Sequence, residues 1–186
     1  MSTAREQILQ TTTALLEKQG YYGTGLNEII RESGSPKGSL YYYFPDGKEQ
    51  IAAEAVIQSG NETAERIRAG LGESGSASKA VSDFVSKIAD NVELSGFAAG
   101  SPLTAVAMET ATQSERINLA CREAYGMLKS AFNEKLLECG FTKLKSDELS
   151  TFIVASIEGG IILSRTSHTA EPLRLVAKQL KLLLTY

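Results

Sequence analysis

Residues 24–48, TGLNEIIRESGSPKGSLYYYFPDGK, constrain this chain more than any other stretch. Leu26, Ile29 and Ile30 fall at i, i+3 and i+4, the spacing of one apolar face of a helix. Ser33-Gly34 closes that helix, because glycine takes the left-handed conformation a C-terminal cap needs. Ser35-Pro36 opens another: proline at a first helical position loses no useful N–H, and the residue before it is pushed to the extended conformation of an N-cap. The second helix, residues 36–44, is barely two turns long and has little stability of its own. Leu40 and Phe44 can face inward while Lys37, Ser39, Tyr41 and Tyr43 face out. The alternative reading, an aromatic core patch, covers only part of this run, since three consecutive tyrosines cannot all turn inward on one helix. A short helix with polar and aromatic groups outward implies a reading head held by a scaffold.

The motif Thr24, Leu26, Ile29-Ile30, Gly34, Lys37-Gly38-Ser39-Leu40-Tyr41-Tyr42-Tyr43-Phe44, Lys48 resembles the DNA-binding motif of the TetR family of bacterial transcriptional regulators. Gly25 departs from the family pattern, which often has a second Thr or Ser there, and Ile30 replaces the usual Ala. The resemblance implies an all-α chain of about nine helices. A three-helix helix-turn-helix DNA-binding domain (1–48) would precede a helical ligand-binding and dimerisation domain (49–186). In a helix-turn-helix the second helix lies in the major groove. On that geometry Lys37 can donate to guanine or phosphate, Gly38 lets the backbone approach closely, Ser39 offers a small donor and acceptor, and the Tyr41 and Tyr43 hydroxyls reach phosphate. The family adds Tyr41 and Lys48 as phosphate contacts, with Thr24 capping a helix and touching DNA backbone.

Charge runs against an easy DNA-binding reading. The net charge is −3, and residues 1–50 hold five Lys/Arg against six Asp/Glu. A nucleic-acid binder usually carries a basic footprint. The contacts therefore have to come from local placement of Arg5, Lys37 and Lys48 and from helix N-termini, and few phosphate contacts per head make affinity depend on pairing two heads. An apolar content of 42% is ample for a core over 186 residues. No run of 18 apolar residues indicates a membrane span, and the N-terminus does not read as a signal peptide, so a cytoplasmic protein is the expectation. Cys121 and Cys139 on one helix would lie about 27 Å apart, beyond disulfide reach. His168, the one histidine, sits near a helix end without metal-ligand spacing around it.

The remaining pattern is helical. Residues 3–19 form a first helix, with Ile8, Leu9, Thr12, Leu15, Leu16 and Gln19 on one face, and Gly20 ends it. An aromatic of Tyr21-Tyr22 plugs the small core. A rod helix runs from Lys48 to about Ala69, and residues 70–78, with three Gly and three Ser, form a linker. Helices follow from about Lys79, from Ser101-Pro102, from Ser114-Glu115 to Cys139, from Ser146, and from Pro172. Strands and fixed-period repeats are not evident. Large or adaptable apolar groups of the middle helices, Phe84, Ile88, Phe97, Met108, Tyr125, Met127 and Phe132, can line a ligand pocket; Glu109, Asn91, Arg122 and Glu158 can orient a ligand. Gly159-Gly160 costs about 1–2 kcal/mol in a helix against Ala, which close helix crossing would offset.

The segment SPLTAVAMETA resembles the LmrA/YxaF branch of the family, with its Gly-x-Pro-x-x-x-x-Ala-x-Glu pattern, a branch associated with drug or flavonoid-type aromatic ligands. The family dimerises through its last two helices, which makes Phe152, Ser156, Gly160, Leu163, Leu173, Val176 and Leu180 interface candidates. The resemblance thus implies a ligand-responsive regulator: a homodimeric repressor, released from a pseudo-palindromic double-stranded DNA operator by a small aromatic inducer. It needs no cofactor, metal or membrane. A helical enzyme handling a small aromatic molecule is the alternative, but a paired acid/base, metal or cofactor motif is missing for it. A pure dimerisation module leaves the residue 37–43 helix unexplained.

Overall fold

The computed structural model describes residues 3–72 and 74–185, and among them there are nine helices and no strand. They are α1 (Ala4–Gly23), α2 (Leu26–Ser33), α3 (Lys37–Tyr43), α4 (Lys48–Gly72), α5 (Ala77–Leu94), α6 (Pro102–Thr110), α7 (Glu115–Glu138), α8 (Lys143–Ser167) and α9 (Glu171–Leu183). Two compact units result. The first takes Met1–Asn61 and Ser101–Tyr125, the second Glu62–Gly100 and Gly126–Tyr186. The sequence boundary at residue 48 falls inside the first unit, which also takes in α6 and the start of α7.

Local chemistry accounts for most helix ends. Thr3 and Glu6 form a reciprocal capping box on α1, with Thr3 N–H donating to Glu6 at 2.8 Å. Gly20, with φ 72° and ψ −176°, interrupts α1 where the sequence stops it, leaving Tyr21–Gly23 as a short turn. Gly34 closes α2 at φ 62° and ψ 10°. The start of α3 falls one residue later than expected: Pro36 is extended (ψ 140°) and is itself the N-cap, so Ser35 is buried with its hydroxyl unpaired. In the first unit Ile8, Leu9, Thr12, Leu16, Ile29, Leu40, Phe44 and Ile51 are buried, while Leu15 and Gln19 are only half-buried. Tyr21, not Tyr22, is the aromatic turned partly inward.

Three helices begin or end beyond the sequence expectation. The 70–78 linker is shorter than composition suggests, because α4 continues to Gly72 and α5 starts at Ala77. Gly70 stays helical with the Phe84 ring packed on it; a Cβ there would lie 2.6 Å from that ring. Helix α8 starts at Lys143, capped by Thr142, rather than at Ser146. Ser146 therefore lies within the helix, fully buried and with its hydroxyl unpaired. Cys121 and Cys139 are free, as expected. Helix α8 is long and apolar enough on average to cross a membrane, although it holds no run of 18 apolar residues. One face of it packs within the second unit: Ile153, Ile157 and Ser164 are buried, and Gly160 lies under Leu173 and Val176 of α9.

Glycines in α4 and α7 play opposite roles. A Cβ at Gly60 would lie 2.6 Å from Ala124 Cβ and 2.9 Å from its Cα, so α4 and α7 touch backbone to backbone there. Nothing lies within 4 Å of a Cβ at Gly126. Gly60→Val should therefore destabilise by about 2–3 kcal/mol through overpacking, while Gly126→Ala should stabilise by about 0.5–1 kcal/mol through helix propensity. Denaturant melts of the two variants check both signs.

Candidate nucleic-acid interface

The α2–α3 pair is seated on α1 by buried Ile29, Leu40 and Phe44. Each residue of a helix turns about 100° from the last. With Leu40 inward, Gly38 and Tyr42 fall opposite it, and Tyr41 and Tyr43 lie to either side. Exposure follows this order: Tyr42 is 79% exposed, Tyr41 45% and Tyr43 36%. Lys37 and Gly38 are exposed and Ser39 is half-buried. A Cβ at Gly38 would meet nothing within 4 Å, so the internal packing makes no use of this glycine's smallness. The outermost ridge of α3 is thus Gly38–Tyr42. Tyr42 belongs to the motif but not to the contact residues expected from it, although the angular count from Leu40 already points to it.

Aromatic packing stiffens the face. Tyr42 and Tyr43 meet edge to face at 5.0 Å between centroids, and Tyr43 and Phe44 at 6.5 Å. The Lys37 ammonium lies 5.9 Å from the Tyr41 ring centre. Behind α3, Gln50 donates to the Tyr43 carbonyl at 3.4 Å and accepts from Asp46 N–H at 3.0 Å, tying the helix end to α4.

Thr24 is placed differently from the expectation. It is fully buried; its hydroxyl donates to the Gly20 carbonyl at 2.7 Å and its N–H to the Tyr21 carbonyl at 3.2 Å. It caps the end of α1, and its side chain is not presented to DNA. Gly25 gives α2 no side-chain cap. Lys48 is half-buried, with its ammonium 4.2 Å from the Tyr21 ring centre. Burial lowers its pKa and the Glu109 carboxylate opposes that shift. Arg5 is spent internally, bonded to Glu54 at 2.5 Å and stacked 5.7 Å from the Phe44 ring centre. Arg31 is paired with Glu32 at 3.0 Å. The α3 face is therefore aromatic with one lysine, rather than broadly basic.

The pocket candidates are divided between the two units. In the second unit Phe84 and Phe132 meet edge to face at 5.9 Å, Phe132 being core. Phe97 packs edge to face on His168 at 5.6 Å, while Ile88 and Met127 are half-buried. In the first unit Tyr125 lies 3.3 Å from the Thr104 hydroxyl. Met108 is 81% exposed and so does not line an internal cavity, because its side of α6 is turned outward. Glu109, read as a ligand-orienting group, instead accepts from Tyr22 N–H at 2.8 Å.

The dimerisation candidates also divide. Phe152 (52%) and Leu163 (60%) are exposed, and Ser156 and Val176 are half-buried. Leu173, Leu180 and Gly160 are instead buried in the chain's own core, where Leu173 fills the notch that Gly160 leaves. Leu175, Leu182 and Leu183 of α9 and Ile162 of α8, all missed in the sequence, are exposed instead. Reading α9 as a helix with its Leu173–Ala177–Leu180 row inward would have pointed outward to Leu175 and Leu182.

A three-helix head with an exposed second helix of the turn is the architecture of a helix-turn-helix regulator. Residues 8–55 match the model of bacterial regulatory proteins of the tetR family, and residues 77–179 match the LmrA/YxaF-like transcriptional regulator C-terminal domain. The HTH-type transcriptional regulator YxaF of Bacillus subtilis is 40% identical over 97% of this chain and 94% of its own length. The HTH-type transcriptional regulator LmrA of the same organism is 43% identical over 91% of this chain and 90% of its own. Escherichia coli NemR, in its reduced form, shares the fold at TM-score 0.85 with 19% identity, covering 98% of both chains. The chain belongs to the TetR family, in its LmrA/YxaF-like branch, and is a DNA-binding transcriptional regulator rather than an enzyme.

Tyr42→Ala should lower operator affinity about tenfold with melting temperature unchanged, since the side chain is mostly solvent-exposed. Lys37→Ala should weaken binding and reduce the slope of log affinity against log salt by about one if it neutralises one phosphate. Fluorescence anisotropy titrations at several salt concentrations measure both.

Proposed function

We propose that this regulator is a repressor that binds a pseudo-palindromic operator as a homodimer and is released by a small aromatic ligand. The observation that carries the reading is α3: Lys37, Tyr41 and Tyr42 stand exposed on a helix too short to exist unsupported, with inward Leu40 and Phe44 holding it. In this reading residues 1–48 contact DNA, through Lys37, Gly38, Ser39, Tyr41, Tyr42 and Tyr43, and residues 49–186 bind ligand and partner. Lys48 reaches phosphate only by leaving the Tyr21 ring. With so few cations on the face, one head binds weakly, and affinity comes from two heads about 34 Å apart on successive major grooves.

Exposed Phe152, Ile162, Leu163, Leu175, Leu182 and Leu183 on α8 and α9 supply an apolar surface for the second copy. The half-buried aromatic groups Phe84 and Phe97 support an aromatic ligand class. Release is a two-state process: the ligand must bind better to the conformation whose heads are wrongly spaced, and by reciprocity operator DNA weakens ligand binding by the same factor. Such a regulator works in the cytoplasm of a bacterium.

The test is binding of the purified protein to the DNA upstream of its own gene, with transcription from that promoter read in parallel. Specific, salt-sensitive binding that lowers transcription supports a repressor; binding that raises transcription makes the protein an activator. Leu163→Glu should give a folded monomer in sedimentation and reduce operator affinity at least 100-fold. A dimer that persists in this variant would move the interface elsewhere.

A further inference from the structure

The Gly20 break in α1 is gripped by the end of α6. Gly20 has a positive φ, and a side chain there would collide with the Glu109 carboxylate, which occupies that space. Glu109 Oε2 accepts from Tyr22 N–H at 2.8 Å. The Tyr22 hydroxyl donates to Gln113 Oε1, just beyond α6. The Gly20 carbonyl accepts from the Thr24 hydroxyl at 2.7 Å, so Thr24, two residues before α2, is tied to the same point. Next to it the Tyr21 ring carries the ammonium of Lys48, the first residue of α4. Two further pairs hold the α6–α7 corner to the head: Ser114 donates to Glu49, and Arg116 bonds Asp46 at 2.8 Å in the turn after α3.

The surface pairs around this joint are solvent-screened and weak individually. The Glu109 contact differs in kind, because its acceptor bonds main chain at Tyr22, two residues after Gly20, whose positive φ suits glycine. A bond to main chain fixes the path of the chain, whereas a bond to a flexible side chain does not. We propose that Glu109 is a positioning residue: its bond to Tyr22 N–H sets the α1–α2 turn, and through Thr24 the angle at which α2 and α3 are presented. The proposal rests on the DNA-binding reading above and deepens it, by naming the residue that holds the turn from which the reading helix is presented.

Three variants of the full chain separate this role from a merely structural one. Glu109→Gln keeps the acceptor and its reach, Glu109→Asp keeps the charge but shortens the reach by one methylene, and Glu109→Ala removes both. Each is compared with the wild type in amide hydrogen exchange, and in affinity for duplex from upstream of its own gene against a random duplex. Alanine and aspartate should each speed exchange at Tyr22 and across residues 24–43 at least tenfold. They should lower specific affinity at least tenfold, while random-duplex affinity stays within twofold. Glutamine should remain within threefold of the wild type in every measure. Unchanged exchange at Tyr22 in the aspartate variant, or equal losses in glutamine and aspartate, would overturn the proposal. Were the wild type to bind neither duplex, the regulator reading would fail, and exchange across residues 24–43 would decide the joint alone. Should the alanine variant not fold, the aspartate and glutamine pair carries the comparison.

Discussion

The complete burial of Leu40 and Phe44 is the interaction on which the reading head depends. A seven-residue helix forms one full set of turns at most, and nucleation alone makes it unstable in water. Two large apolar side chains four residues apart, removed from water, contribute several kcal/mol together. That is enough to hold α3 in place, and it leaves the remaining positions free to serve another purpose. The outward tyrosines and Lys37 are therefore unconstrained by stability, which is how a recognition surface can vary among relatives on one scaffold.

The same economy shows in the cations. Arg5 is consumed by Glu54 and Phe44, Arg31 by Glu32, and Lys48 by Tyr21. A head with balanced charge and one outward lysine on α3 cannot hold DNA by counterion release alone. On the proposed dimeric reading, aromatic contact and pairing of two heads supply what charge does not. The acidic balance of residues 1–50, which at first weighs against DNA binding, is on that reading a statement about how the binding is divided between two heads.

Backbone glycines organise the rest. Gly20 admits the Glu109 carboxylate, Gly60 admits the Ala124 backbone, and Gly160 admits Leu173. The first two approaches join helices distant in sequence, and the third joins α8 to α9, the helix that follows it. The fold of either unit rests on such close contacts as much as on the apolar periodicity that a helical reading detects.

Local order was legible in the sequence. The α2–turn–α3 motif, the Gly34 cap, the Gly20 break, the Ser101-Pro102 start of α6 and the inward Leu40 and Phe44 all follow from residue types at neighbouring positions, whose effects act within a turn or two of helix. The family followed from the same short range. Tyr42 was legible too, by counting angle from Leu40, but a motif names residue types and not directions. What needed the tertiary structure was the use of each polar or small group between elements. Thr24 turned inward to the Gly20 carbonyl, Lys48 lay on Tyr21, Met108 faced solvent, Gly160 and Leu173 closed an internal crossing, and Leu180 lay in the core. Helix periodicity tells which face of a helix is apolar. It does not tell which neighbour covers that face, because the partner lies tens of residues away and is chosen by packing.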